Sequence, residues 1–319
     1  MGVRNSIKTT VCALALALGT AALAAPAMAD DSAIKIAVVT HGQSSDTYWT
    51  VVKKGVDDAA KLMGVTVTYQ APQTTDMVAE ARMIDAAVAQ KVDGLVVSIP
   101  DADALDKSVK AAADAGIPVI VIDSGEEEVA KTGAKLFVGT TNYFEQGQRA
   151  AKQLMAAGVT KGVCANHEAG NLVNESACDG FIKVFGANGD RVEVSLDPTD
   201  TAGRMKAYLS AHPDVTGILA LGAPSAGNIV AALRDAGTLS KYKIGNFDVS
   251  PDTLTPLSKN EILFSFDSQQ YMMGYLPIVM LTLNAKYGLL PINNIYTGPN
   301  AVTANDVSKI QELSKQGIR

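Results

Sequence analysis

Much that would announce a chemistry is missing from this sequence. Three cysteines in 319 residues cannot build the disulfide framework of a small secreted scaffold. Lysine and arginine number 27 against 33 aspartates and glutamates, and the resulting charge of −6 argues against a nucleic-acid-binding surface. The three histidines, His41, His167 and His212, are far apart, and His167-Glu168 lacks the second histidine of a zinc helix, so no metal centre is expected. No Gly-Lys-Ser/Thr loop follows an apolar run. The turn Thr40-His41-Gly42-Gln43-Ser44-Ser45 lacks the spaced glycines that let a backbone approach a pyrophosphate. Neither a nucleotide nor any other cofactor is implied. Ser225, in Gly222-Ala223-Pro224-Ser225-Ala226-Gly227, is one residue off the spacing of a nucleophile elbow and is better read as the N-cap of a following helix. Aromatics are 5% of the chain, with Trp49 the sole tryptophan.

What is present begins with a leader. Arg4 and Lys8 precede an apolar stretch from Val11 to Ala25, and Ala27-Met28-Ala29 supplies a small-x-small cleavage pattern. The expectation is a cleaved secretory signal over 1–29 and export to the periplasm. The stretch is too short for a membrane span, and Cys12 lacks lipoprotein surroundings. Those 29 residues hold two basic and no acidic side chains, so 290 residues remain and the charge moves from −6 to −8. At 47% hydrophobic and 19% charged the chain is that of a globular protein, long enough for two lobes.

From Ile34 two periods alternate. Short β-branched runs (34–40, 65–69, 92–99, 117–122) have the pattern of strands buried on both faces. Between them lie amphipathic segments: Thr47 to Met63, closed by Gly64; about Asp76 to Gln90; and a third with Leu105, Val109 and Ala112 on one face and Asp103 as N-cap. Further strands fit near 135–139, 161–165, 191–195, 216–221, 242–246 and 262–267. The fold class is therefore α/β, as two doubly wound parallel-sheet lobes of five or six strands each.

In such sheets function lies in the loops beyond the carboxyl ends of the strands. Those loops are acidic and amide-rich, without a cluster of Lys or Arg for a phosphate. Asp123, Asp248 and Asp267 each end an apolar strand, where a carboxylate needs partners; each either contacts a ligand or caps the next helix. Ionised carboxylates can bridge neighbouring hydroxyls, and the rings of Tyr48 and Trp49 can cover the C–H face of a sugar. His41 and His167 either donate to a ligand or serve the loop, whereas His212, before Pro213, is a helix-end residue. Cys164 and Cys178 run from a strand end to the following helix, which permits either a disulfide or a buried reduced pair.

The chain resembles the type I periplasmic solute-binding proteins of the ribose-binding class, which feed ATP-driven importers. The resemblance is carried by Ile36-Ala37-Val38-Val39 with Tyr48-Trp49 and Gly55, Asp93-Gly94-Leu95-Val96-Val97, and Gly116-Ile117-Pro118 running to Asp123. It continues through Cys178-Asp179-Gly180-Phe181, Ala211-His212-Pro213-Asp214-Val215, Gly245-Asn246-Phe247-Asp248 and Phe266-Asp267-Ser268-Gln269-Gln270. It implies lobes of 30–139 with 268–297 and 140–267 with 298–319, joined by a hinge of three segments near Gly139-Thr140, Asp267-Ser268 and Thr297-Gly298. It also implies ligand contacts from Tyr48, Trp49, Asp123, Ser124, Gly222 or Ala223, Asp248 and Ser268.

Departures from the family matter. Ala177 stands where sugar binders commonly place an arginine, Gly222 where an amide or acid is frequent, and Ser268 where glutamine is frequent. Asn174, Glu175 and Asp267 are candidates to replace them, with His41 and Asp46 as further ones. The expected activity is capture of a small sugar or polyol by a monomer that partners the membrane permease subunits of an ABC transporter and performs no catalysis. Asp123-Ser124 with Asp267 is also similar to binding proteins for autoinducer-2-like furanoses, with Asn174-Glu175 as the next polar pair. A sensory receptor module and a secreted glycoside-acting enzyme are also compatible with these residues.

Overall fold

The computed structural model describes residues 1–2, 34–42 and 46–319. Nearly all of the expected leader, and Gln43, Ser44 and Ser45 of the first loop, lie outside the described residues. The first half runs β1 Lys35–Val39, α1 Thr47–Met63, β2 Thr66–Gln70, α2 Met77–Ala89, β3 Gly94–Val97, α3 Ala102–Asp114, β4 Val119–Ile122, α4 Val129–Thr132 and β5 Leu136–Thr140. The second half repeats the rhythm with α5 Tyr143–Ala156, β6 Gly162–Asn166, α6 Leu172–Phe185, β7 Gly189–Glu193, α7 Pro198–Ala211, β8 Gly217–Ala220, α8 Ala223–Asp235, β9 Lys243–Phe247, α9 Pro251–Ser258 and β10 Phe264–Asp267. The chain ends with α10 Gln270–Tyr287, β11 Ile295–Gly298, β12 Asn300–Val302 and α11 Val307–Ser314.

Two six-stranded sheets result, in the orders β11-β5-β4-β3-β1-β2 and β12-β10-β9-β8-β6-β7. The orders correspond strand for strand, so β4 and β9 occupy equivalent places. All pairings are parallel except β10 with β12. The apolar runs explain the layering: β3 and β4, Gly-Leu-Val-Val and Val-Ile-Val-Ile, are buried at every residue, whereas the edge strands β2 and β7 are partly exposed. Helices cover both faces of each sheet, and each such Val or Ile contributes about 1.5–3 kcal/mol by leaving water.

Two details differ from expectation. Asp101, not Asp103, caps α3, its carboxylate accepting from the Ala104 amide at 3.1 Å. Ser225 does not cap α8: it lies inside the first turn and donates back to the carbonyls of Leu221 and Gly222 at 3.1 and 2.9 Å. Strands β11 and β12 had no sequence signal. They arise where the chain crosses between the sheets for the third time, after crossings at 141–142 and 268–269. The crossing segments are tied together: the Thr297 hydroxyl donates to the Ser268 carbonyl at 2.6 Å and the Thr141 amide to the Gly298 carbonyl at 3.3 Å.

Each half also has one helix pair in backbone contact. A Cβ on Gly55 of α1 would lie 2.1 Å from the Tyr271 carbonyl of α10, and one on Gly274 of α10 would lie 2.0 Å from the Val52 carbonyl of α1. In the second half Gly147 of α5 and Gly180 of α6 meet Ala177 and Phe144 carbonyls in the same way, at 1.9 Å each. Cys164 of β6 and Cys178 of α6 form a disulfide with Cα atoms 5.5 Å apart. Among the described residues no helix is long and apolar enough to cross a membrane.

Candidate functional site

A cavity of about 490 Å³, open to solvent, lies where the carboxyl ends of both sets of parallel strands face each other. The first sheet and its helices contribute His41, Asp46, Tyr48, Trp49 and Asp123. The second half contributes Tyr143, His167 and Glu168, then Asn171, Val173 and Asn174, then Gly222, Pro224, Phe247 and Asp248.

Asp123 and Asp248 follow the equivalent strands β4 and β9, and both take left-handed backbone, with φ of 65° and 67°. Aspartate is among the few non-glycine residues that tolerate this region. Neither caps a helix: Gly125 starts the turn after Asp123, and Ser250 caps α9. The Tyr48 hydroxyl donates to Asp123 Oδ1 at 2.5 Å, and the Ser268 hydroxyl donates to Asp248 Oδ1. Burial pushes the Asp123 carboxyl above the ordinary range, against the His41 charge and the Tyr48 hydrogen bond. Burial likewise pushes Asp248 up to about 7, aided by repulsion from Asp123 and Asp46.

His41 begins a buried polar chain. Its backbone amide donates to Ser98 Oγ at 3.0 Å, its Nδ1 lies 2.7 Å from the same oxygen, and Ser98 donates to Glu80 Oε1 at 3.4 Å. Across the cleft its Nε2 pairs with Glu168 Oε2 at 3.6 Å. Burial lowers the imidazole pKa, yet Glu168, with Asp123 and Glu80, outweighs it and raises His41 to about 9. Burial opposes the Glu168 charge in turn, but His41, His167 and Asn171 hold it down at about 2. A backbone bond between the Leu172 amide and the Pro100 carbonyl, 3.0 Å, spans the same gap.

Asp46 caps α1, accepting from the Tyr48 amide at 2.9 Å, and burial raises its pKa. Trp49 is core as much as wall, with its ring edge-on to His41 and Tyr48 at 4.9 and 5.1 Å between centroids. Gly42 is there because a Cβ would fall 1.7 Å from the Trp49 ring. From the other side Phe247 and Tyr143 complete the aromatic walls. Asn174 is 8% exposed and its Nδ2 has no hydrogen-bond partner among the described residues.

Of the residues singled out from sequence, His41, Asp46, Tyr48, Trp49, Asp123, Asn174, Gly222 and Asp248 line one cavity. Five do not. Ser124 is buried behind Asp123, and Ala223 is buried at the start of α8. Glu175 accepts from Asn166 Nδ2 at 2.9 Å and the Gly170 amide at 3.1 Å, and pairs with Arg191. Asp267 is fully buried, accepts from the Gln269 amide at 3.0 Å and pairs with Arg319. Ser268 supports Asp248 rather than facing the space. His212 ends α7 with its ring stacked on Tyr208. Sequence reasoning passed over Tyr143, Glu168, Asn171 and Phe247 as contact residues. Glu168 and Asn171 lie in a strand-end loop where function was expected and Phe247 is the last residue of β9; Tyr143 lies just past the first crossing, where nothing marks it.

The family model for the periplasmic binding protein domain matches residues 36–288. The xylose/arabinose-binding protein XylF of Sulfolobus acidocaldarius is 25% identical over 293 residues, 86% of this chain and 72% of that protein. Among solved structures, a carbohydrate transporter protein from Acidothermus cellulolyticus in complex with myo-inositol superposes with a TM-score of 0.84 at 30% identity, covering 90% of this chain and 99% of that one. A periplasmic sugar-binding protein of an ABC sugar transporter from Legionella pneumophila superposes with a TM-score of 0.77 at 26% identity, over 83% and 99% of the two chains. These relatives are sugar-binding and carbohydrate-transport proteins. With the match running from β1 through α10, the chain belongs to the periplasmic binding protein family.

Proposed function

We propose that the protein captures a small sugar or polyol in the cleft and delivers it, unaltered, to the membrane permease subunits of an ABC importer. The carrying observation is convergence: carboxylates, an amide and aromatic faces from both halves line one space. Carboxylates accept hydroxyl hydrogens, Asn174 Nδ2 donates to a hydroxyl oxygen, and rings cover C–H faces. The lobes, 30–139 with 268–297 and 140–267 with 298–319, close about the three crossing segments. Contacts made from both sides favour the closed state, which is what differential affinity requires. The protein works as a monomer in the periplasm after loss of residues 1–29. The relative that holds myo-inositol supports the ligand class.

The test is thermal unfolding against a panel of sugars, polyols and furanoses. A ligand at a hundred times its Kd adds about 2.7 kcal/mol, a rise of about 5 °C for a protein of this size. Asp123→Ala and Asp248→Ala are expected to abolish the rise while leaving the circular dichroism spectrum of the folded chain unchanged. A response to nucleosides or amino acids alone would overturn the assignment.

A further inference from the structure

Four carboxylates line the cavity, Asp46, Asp123, Glu168 and Asp248, and among the described residues that line it none is lysine or arginine. The four acids outnumber the two histidines of the lining, His41 and His167, by two. The local partners show which two are left. Glu168 is matched by His41, and Asp46 is engaged with the positive N-terminus of α1. Asp123 and Asp248, one from each half, are hydrogen-bonded by neutral donors, Tyr48 and Ser268, and neither has an ion-pair partner among the described residues, although the His41 charge acts on Asp123. A neutral polyol satisfies their lone pairs but does nothing to offset the cost that burial sets on their charged forms. An ammonium group satisfies both, with three N–H donors and a positive charge.

Two further observations fit a cationic guest. The walls beside these acids are the rings of Phe247, Tyr143 and Tyr48, and aromatic faces attract cations. An adjoining hollow of about 710 Å³ shares Asp123, Tyr143 and Val173 with the cavity and is lined by Glu126, Glu127 and Glu128. Lys131 pairs with Glu128, and the hollow also contains no lysine or arginine among its described lining. Such an approach concentrates cations ahead of binding. Asn174, 8% exposed, lines the same cavity, and its Nδ2, without a partner among the described residues, needs an acceptor, which an ammonium lacks and a hydroxyl supplies.

Given a polyol-binding cleft, which this step requires, we infer that the ligand is a polyol carrying a protonated amine: an amino sugar or an aminocyclitol, with the ammonium between Asp123 and Asp248 and a hydroxyl at Asn174. The experiment is calorimetric titration near neutral pH with matched pairs: D-glucose and D-glucosamine, and an inositol and the same ring with one hydroxyl replaced by a primary amine. The N-acetylated amines serve as controls. In at least one pair the amine binds about tenfold or more tightly than its hydroxyl partner, and acetylation removes the gain. Asp248→Asn, checked for folding by thermal melt, weakens the amine more than the neutral partner. Equal or tighter binding of the neutral member in every pair overturns the amine and leaves the polyol cleft standing. Tighter binding of a simple alkyl diamine than of any amino polyol also overturns it. Silence of every pair overturns both readings.

Discussion

The His41–Glu168 pair, which joins the two sides of the cleft, makes a prediction of its own. The two residues come from loops after β1 and β6, on opposite sides of the cleft, and lie 3.6 Å apart with side chains 3% and 11% exposed. Replacing Glu168 by Gln keeps the shape and removes the charge. His41 then loses its largest support, and burial, which acts to lower its pKa, is opposed only by the more distant Asp123 and Glu80. The rise of His41 from 6.5 to about 9 corresponds to about 3 kcal/mol. The pH window follows from the two directions. The raised histidine contributes fully below 6.5, and its share is lost as pH climbs through about 9. The depressed Glu168 contributes above 4.5, and its share is lost as pH falls toward about 2. The pair is therefore at full strength between those two ordinary values. In urea denaturation Glu168→Gln is expected to cost about 3 kcal/mol near pH 5.5, the gap closing above about pH 9. Imidazole NMR gives the direct reading: His41 titrates near 9 in the parent and toward 6.5 or below in Glu168→Gln. A parent His41 that titrates at or below 6.5, or a gap that widens with alkaline pH, refutes the reasoning.

Two further expectations concern the scaffold. The Cys164–Cys178 bond spans 14 residues of sequence, a loop whose closure is worth about 3 kcal/mol, so the Cys164→Ala/Cys178→Ala variant is expected to lose that much in urea. An unchanged midpoint would refute it. Gly274→Ala places a methyl 2.0 Å from the Val52 carbonyl, where neither backbone can yield without moving a helix, and is expected to cost about 1–3 kcal/mol by thermal melt. Gly64→Ala, which meets nothing within 4 Å but holds a left-handed φ of 69°, controls for the conformational term.

The alternating architecture was legible because buried parallel strands leave uninterrupted apolar runs, such as Val119 to Ile122, and because the αL glycine at 64 marks where α1 stops. β11 and β12 were not legible: Ile295–Gly298 and Asn300–Val302 are short and mostly exposed or half-buried, and they are held by pairing to β5 and β10 rather than by a pattern of their own. The site divides along similar lines. Asp123, Asp248 and Asp267 carry one signature, an acid closing an apolar strand, and only the fold separates them, since the partner that neutralises Asp267 is Arg319, far along the chain. Glu175 and Glu168 exchange roles for a local reason. Asn171 caps α6 through the Val173 amide at 3.1 Å, which leaves Glu168 in the loop facing His41 and places Glu175 in the first turn beside Arg191. Sequence offers several residues around this turn that could cap, and the choice among them decides which acid reaches the cleft.

The glycines at the α1–α10 contact have a mechanical consequence. α10 starts directly after the crossing at 268–269, and α1 starts at the rim that carries Asp46, Tyr48 and Trp49. With no side chains between Val52 and Gly274, or between Gly55 and Tyr271, the two rods cannot slide on a compressible layer. Under the proposed closure, a small rotation where the chain crosses between the sheets is carried to the aromatic rim as lever travel, so stiffness in the interior of this half lets the few residues at the crossings set the width of the mouth.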